Sequence, residues 1–246
     1  MANQLLAARS DSKVGIKWPE NFIRRTPEVK TEKYGITEED IYNFDETGFQ
    51  MGVISGGKVV TGSDRRNRRK AVQPGNREWV TVIQGINAQG WAIPPFIIFA
   101  GTYHLSAWYE GNDIPSDWPI SLSDNGWTTN ELGIRWLQHF DKHTKHRTVG
   151  VHRLLIIDGH ESHDSLEFQQ LCKEKQIITL CMPSHSSHLL QPLDVGCFSP
   201  LKDAYGRQVE DLIRNHIYHV TKLEFLPAFK AAYQDTIIES NIRAGF

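Results

Sequence analysis

Cysteine is scarce in this sequence. Three cysteines occur, Cys172, Cys181 and Cys197, and no two of them have the spacing of a CxxC pair. An odd number without that spacing argues against a disulfide framework and against a structural zinc ribbon. We therefore expect a reducing, intracellular environment.

Long apolar runs are also lacking. No run approaches the roughly 18 residues of a membrane-spanning helix, and the first residues, MANQLLAARSDSK, lack the apolar core of a signal peptide. We therefore predict a soluble protein with no membrane partner.

Charge of one sign is not in excess. The formal net charge is −2, so composition gives no global argument for binding nucleic acid. Positive charge is concentrated locally, in one run that comprises Arg65, Arg66, Arg68, Arg69 and Lys70. Such runs are more often solvated loops than binding sites, and only a polyanionic partner would favour phosphate contact.

The sequence does contain enough apolar residues for a sizeable core, with 39% hydrophobic content in 246 residues. The predicted strands are a segment from Ile41 that ends near Asp45, and residues 79–86, 91–99, 151–158 and 177–182. The predicted helices are residues 130–143 and segments that begin near Asp164, Ser199 and Thr221. Residues 101–128 have the composition of a loop, and Pro94 and Pro95 predict that the strand at 91–99 is an edge strand or bulged. This order predicts an α/β fold, with a mixed sheet covered by helices.

One stretch, LLIIDGHESH at 154–163, ends an apolar strand on Asp158. Burying a carboxylate without partners costs several kcal/mol, so Asp158 needs a counterion. Asp45 in NFDETGF and Asp194 in LQPLDVG are further candidates. Three carboxylates repel one another by about 4 kcal/mol per close pair, and they either protonate or bind a cation. Aspartates before glycine are usually turns, however, and the residues alone leave that interpretation open.

Longer motifs surround these aspartates: YNFDETGFQMG, the segment from VTGSDRRNRRK to FIIFAG, LLIIDGHESH, and PSHSSHLLQPLDVGCFSPLKDAY. Together they resemble the DDE superfamily endonuclease domain of pogo-type transposases of the mariner/pogo group, especially fungal ones. The 35 residues between Asp158 and Asp194 are typical of the Asp-Asp-Asp triad of the pogo branch. The resemblance implies an RNase H-like mixed sheet with helices on both faces. It also implies two Mg²⁺ or Mn²⁺ ions held by Asp45, Asp158 and Asp194, and DNA cleavage followed by strand transfer.

The resemblance also implies a domain organisation and a location. Residues 1–36 resemble the remnant of a centromere-protein-B type helix-turn-helix with its linker. Residues 37–246 are then the catalytic domain, shorter at its C-terminus than in relatives. DNA is the expected partner, as transposon ends or target, the nucleus is the expected location, and a homodimer is compatible with the family. The alternative is a transposase-derived module that binds nucleic acid or protein without catalysis.

Residues that flank the aspartates are predicted to hydrogen-bond them, the backbone or phosphate: His160, His163, His188 and Gln191. Histidines also suit zinc, and a zinc hydrolase built on the pairs His160/His163 and His185/His188 is a further alternative. The basic run 65–70 is the predicted contact with the DNA backbone.

Overall fold

The structure is a computed structural model that describes residues 34–52, 76–109, 113–158, 165–182 and 190–246. Its strands are β1 (Ile41–Gln50), β2 (Trp79–Asn87), β3 (Phe96–Ala100), β4 (Ile120–Ser123), β5 (Arg153–Ile157) and β6 (Ile177–Cys181). Its helices are α1 (Asn130–Thr144), α2 (Leu166–Glu174), α3 (Phe198–Arg214), α4 (Lys222–Thr236) and α5 (Glu239–Gly245), with short 3-10 turns at Glu38–Asp40, Ser106–Trp108 and Lys145–Arg147. A π-helical turn, Leu193–Cys197, leads directly into α3.

All six strands form one sheet in the order β4-β3-β2-β1-β5-β6. β1, β2 and β3 are an antiparallel meander, whereas β5 runs parallel to β1 and β6 parallel to β5. β4 pairs in parallel with β3 at the far edge. A meander whose first strand is also the parallel neighbour of later strands is the arrangement of the RNase H-like fold, and the predicted fold class is confirmed.

The two faces of the sheet carry separate cores because side chains alternate along each strand. On one face, Tyr42 and Phe44 of β1 pack with apolar residues of α1 and α2, and the Phe44 and Trp136 rings lie 4.0 Å apart between centroids. On the other face, Phe49 joins the core formed with α3, α4 and α5. Helices therefore cover both faces, as predicted.

The meander differs from the prediction in two places. Residues 101–128, predicted to be a loop, contain β4, a four-residue strand that pairs in parallel with β3 and forms the edge of the sheet. β3 is consequently not an edge strand. It accommodates Pro94 and Pro95 by beginning after them, so that neither proline has to donate to the ladder.

β1 also continues past Asp45, where the strand was predicted to end. The antiparallel ladder with β2 extends to Gln50, which pairs with Trp79. The parallel ladder with β5 stops earlier, at the pair Asn43 and Ile156. Asp45 therefore lies within β1, just beyond the point at which the strand loses its β5 neighbour.

The start of α3 is a further correction. Ser199 and Pro200 were predicted to begin the helix, which would leave Asp194 ahead of it. Instead α3 begins at Phe198, whose N–H donates to the carbonyl of Leu193 five residues earlier, and Pro200 is the third residue of α3. Asp194 thus lies within continuous helical backbone.

The capping box predicted at Thr221 and Glu224 is confirmed at the start of α4. In the parts of the chain that the structure covers, no helix combines the length and the apolar character needed to cross a bilayer.

Candidate functional site

Two of the three aspartates lie where parallel strands β1 and β5 separate. Asn43 is the register partner of Ile156, and this register, continued by two residues, sets Asp45 beside Asp158. Neighbouring strands are about 4.8 Å apart, and residues two apart share a face of the sheet. The side chains of Asp45 and Asp158 therefore leave the sheet next to each other, on the face that α3 covers.

Hydrogen bonds to β1 place the segment that carries the third aspartate, Asp194, near the point where β1 and β5 separate. The N–H of Leu193 donates to Oδ1 of Asn43 at 3.0 Å. The Nε2 of the buried Gln191 donates to the carbonyl of Phe44 at 2.8 Å. Asp194 follows Leu193 directly, so the π-helical turn brings it to the side of β1 on which Asp45 lies.

The electrostatics of Asp45 reflect its burial and the charges of the other two aspartates. Burial raises the pKa of Asp45 well above its usual range, and the negative charges of Asp194 and then Asp158 raise it further. Hydrogen bonds from the Glu46 N–H, at 2.8 Å, and from the Gln191 side chain partly oppose this rise in pKa. Asp45 is buried, Asp158 half-buried and Asp194 exposed, so solvent exposure increases from Asp45 to Asp194.

These carboxylates do not form a closed ligand shell. Among the described residues, no group of three or more histidine, cysteine, aspartate or glutamate side chains is arranged so that it could hold a metal ion. Hydrogen bonds of β1 with β5 and with the π-helical turn nevertheless hold the three segments next to one another. The three aspartates thus lie on neighbouring segments, but their carboxylate oxygens are not directed at one common position.

The other predicted site residues divide into one that the structure describes and several that it does not. Gln191 is buried, and its side chain donates a hydrogen bond to the Phe44 carbonyl of β1, next to Asp45. The remaining predictions lie outside the described residues: His160, His163, His185 and His188, and the basic run of Arg65, Arg66, Arg68, Arg69 and Lys70.

Asn43 was not predicted to have a role, although it belongs to the NFDETGF motif. Its side chain is fully buried in the middle of the sheet and bonds to both β5 and the π-helical turn. An asparagine within an apolar strand is unusual, because asparagine is depleted in strands. That was the available signal, but it does not identify the partners of the amide.

A family model described as DDE superfamily endonuclease matches residues 76–246. Over all 246 residues the chain is 62% identical to a Cochliobolus lunatus protein named MFS-type transporter clz9, and it covers 26% of that protein. Over 190 residues it is 28% identical to a Mus musculus protein named Pogo transposable element with KRAB domain, with 76% of this chain and 28% of that protein covered. The chain thus spans about a quarter of the length of these relatives.

Among solved structures, the Mos1 transposase paired-end complex with left transposon end is similar to 98% of this chain and 74% of its own, with a TM-score of 0.49 and 11% identity.

Proposed function

The chain belongs to the DDE superfamily endonuclease family, within its pogo type, and on that premise we propose that it cleaves DNA and joins DNA strands at Asp45, Asp158 and Asp194. The observation that carries this proposal is the convergence of three separate segments. The β1–β5 register sets Asp45 beside Asp158, and the bond from Leu193 to Asn43 attaches the segment of Asp194 to β1.

The donor set fits Mg²⁺ or Mn²⁺. Three carboxylates offer only hard oxygen ligands, which these cations prefer, and such ions take one or two protein carboxylates together with waters and substrate phosphates. Asp158 and Asp194 are not fully buried, so their side chains have room to rotate toward a cation next to Asp45. When bound, two such ions would supply activation of a water or 3′-hydroxyl and stabilisation of the leaving oxygen.

The chain's own residues have distinct tasks in this proposal. Asp45, the most buried, accepts a hydrogen bond from the Glu46 N–H, which orients its carboxylate, and Asp45 and Asp158 would together hold the ions. Asp194, which is exposed, would complete the set of ligands from the solvent side, where a DNA backbone has access.

The experiment is a nicking assay with supercoiled DNA and the purified chain, in Mg²⁺, in Mn²⁺ and in EDTA. We expect metal-dependent nicking that falls at least about 100-fold in Asp158→Asn, since a lost ligand forfeits several kcal/mol and each 1.4 kcal/mol or so is tenfold in rate. The matched control is Asp235→Asn, at an exposed position on α4, which should nick as the wild type does.

Activity that survives in Asp158→Asn would refute the assignment. Stoichiometric zinc in the purified protein would favour the zinc hydrolase instead.

DNA contact by the basic run 65–70 is part of the same proposal. Replacing Arg65, Arg66, Arg68 and Arg69 should weaken DNA binding and reduce the log–log salt slope by about 0.9 for each phosphate that the variant no longer neutralises. An unchanged slope would identify the run as a solvated loop.

A second candidate is a module that binds DNA or protein without catalysis. The observation in its favour is that the described carboxylates are not arranged as a closed ligand shell. This candidate predicts DNA binding that is independent of metal and no nicking in any buffer. For either candidate we propose a nuclear location, which imaging of a fluorescent fusion would test.

A further inference from the structure

A single buried amide connects the three segments that carry the aspartates. We propose that Asn43 is the positioning residue of the site, which holds Asp158 and Asp194 in place relative to Asp45; this inference rests on the proposed function. Asn43 is fully buried in β1, two residues before Asp45.

The two ends of the Asn43 amide reach two different segments. Its Nδ2 donates to the carbonyl of Ile156 at 3.1 Å, two residues before Asp158. Its Oδ1 accepts from the N–H of Leu193 at 3.0 Å, one residue before Asp194. Asp45 is therefore two residues from Asn43 itself. Asp158 and Asp194 are two residues and one residue, respectively, from the hydrogen-bond partners of Asn43.

The side-chain bond from Asn43 to Ile156 lies at the last residue pair of the β1–β5 ladder. The β1–β5 pairing ends at Asn43 and Ile156, so beyond this pair the two strands are no longer held together by their own peptide groups. The side-chain bond secures the strands at the last paired position, immediately before the two aspartates. Placing those carboxylates side by side brings like charges together, which favours separation of the strands unless they are tied.

Only a side chain with both a donor and an acceptor can make this connection. Leucine has a similar volume but offers neither, and it would leave the Ile156 carbonyl and the Leu193 N–H buried without this partner. Aspartate would keep the acceptor for Leu193 but would direct a carboxylate oxygen at the Ile156 carbonyl.

The π-helical turn has other attachments, so the loss of Asn43 should shift it rather than unfold it. Gln191 still donates to the carbonyl of Phe44. On the opposite side, the turn packs closely on α5, where a Cβ added at Gly196 would lie 2.5 Å from the carbonyl oxygen of Asn241. These contacts keep the turn on the protein while its exact position depends on Asn43.

Asn87 provides a matched control. It is also fully buried, and its Nδ2 donates to the carbonyls of Glu39 and Ile41 at 2.7 and 3.1 Å, while its Oδ1 accepts from the N–H of Gln89 at 2.8 Å. It has the same bonding chemistry, but it acts at the start of β1 and has no bond to the described parts of the segments that carry Asp158 and Asp194.

The experiment compares Asn43→Leu with Asn87→Leu in the full chain by two readouts. The first is hydrogen exchange of residues 190–197 without metal, which should speed up in Asn43→Leu only. The second is Mn²⁺ binding followed by electron paramagnetic resonance. We expect Mn²⁺ affinity to fall about 10- to 100-fold in Asn43→Leu and to remain near the wild-type value in Asn87→Leu, even though both variants melt at lower temperature.

If Asn43→Leu does not fold, Asn43→Ser, whose hydroxyl can keep one of the two bonds, should show a smaller loss of the same kind. Equal Mn²⁺ affinity in the Asn43 and Asn87 variants overturns the positioning role and leaves the proposed function intact. A wild-type chain that binds no Mn²⁺ overturns the proposed function, and the positioning role with it.

Discussion

Two buried aspartates, one directly before β1 and one in the middle of that strand, have opposite surroundings. Asp40, directly before β1, is fully buried, and its carboxylate accepts hydrogen bonds from the N–H groups of Val149, at 3.0 Å, and Gly150, and from the Thr37 hydroxyl. Asp45, within β1, accepts from the Glu46 N–H but faces two further carboxylates. Hydrogen-bond donors therefore surround the carboxylate of Asp40, whereas two like charges lie near the carboxylate of Asp45.

Asp141 of α1 is a further buried acid, and like Asp40 it is surrounded by groups that donate hydrogen bonds. Asp141 pairs with Arg153 at 2.7 Å, and Arg153 also donates to the Thr144 hydroxyl and the Lys175 carbonyl. A buried carboxylate that serves stability is surrounded by donors, because an unpaired buried charge is strongly unfavourable. Asp45 departs from that rule, as the proposed cation site requires.

The largest effect expected from this contrast is on stability. Asp40→Asn should lower the free energy of unfolding by about 3 kcal/mol, because its amide replaces a charged acceptor of several hydrogen bonds. Asp45→Asn should leave stability unchanged or increase it, because it removes one of three repelling charges. Urea unfolding in EDTA measures both, and an equal loss in the two variants would abolish the distinction.

A smaller effect is expected from the contact between the π-helical turn and α5. In Gly196→Ala, the new methyl group would lie 2.5 Å from the carbonyl oxygen of Asn241, so the turn that carries Asp194 must move. We expect a loss of about 2 kcal/mol in stability and weaker nicking. Val195→Ala, at an exposed position in the same turn, is the control and should change neither. Wild-type nicking in Gly196→Ala would show that the position of Asp194 is not critical.

The smallest effect concerns pH. Because the pKa of Asp45 is raised in the folded state, its contribution to stability is fully present below the usual aspartate pKa and is lost as the pH rises through the raised value. In EDTA, Asp45→Asn should therefore lose less stability than the wild type as the pH rises above the usual aspartate pKa of about 4. Parallel pH profiles for the two proteins would contradict the account of this carboxylate.

The sequence predicted those features that depend on a short local pattern of residues. An apolar run that ends on Asp158 predicts a carboxylate at a strand end, and Thr221 with Glu224 predicts a helix start; both occur. The aspartates could be grouped because their flanking motifs resemble one family. β4 escaped prediction because a four-residue strand with two buried positions has too little pattern to distinguish it from a loop.

What could not be predicted depends on register. The role of Asn43 follows from its pairing opposite Ile156 and from the docking of Leu193, which is 150 residues away in sequence. The π-helical turn depends on the packing of Gly196 against α5, a helix that the hydrophobic pattern did not reveal. Both features arise from tertiary contacts that local propensity does not contain.

The central claim is that Asp45, Asp158 and Asp194 together bind divalent cations. Anomalous diffraction from crystals of the chain grown with Mn²⁺ tests it most directly. We expect Mn²⁺ peaks bounded by these three carboxylates, and their loss in Asp45→Asn. Ordered Mn²⁺ bound elsewhere on the chain, with none at these three aspartates, would contradict it.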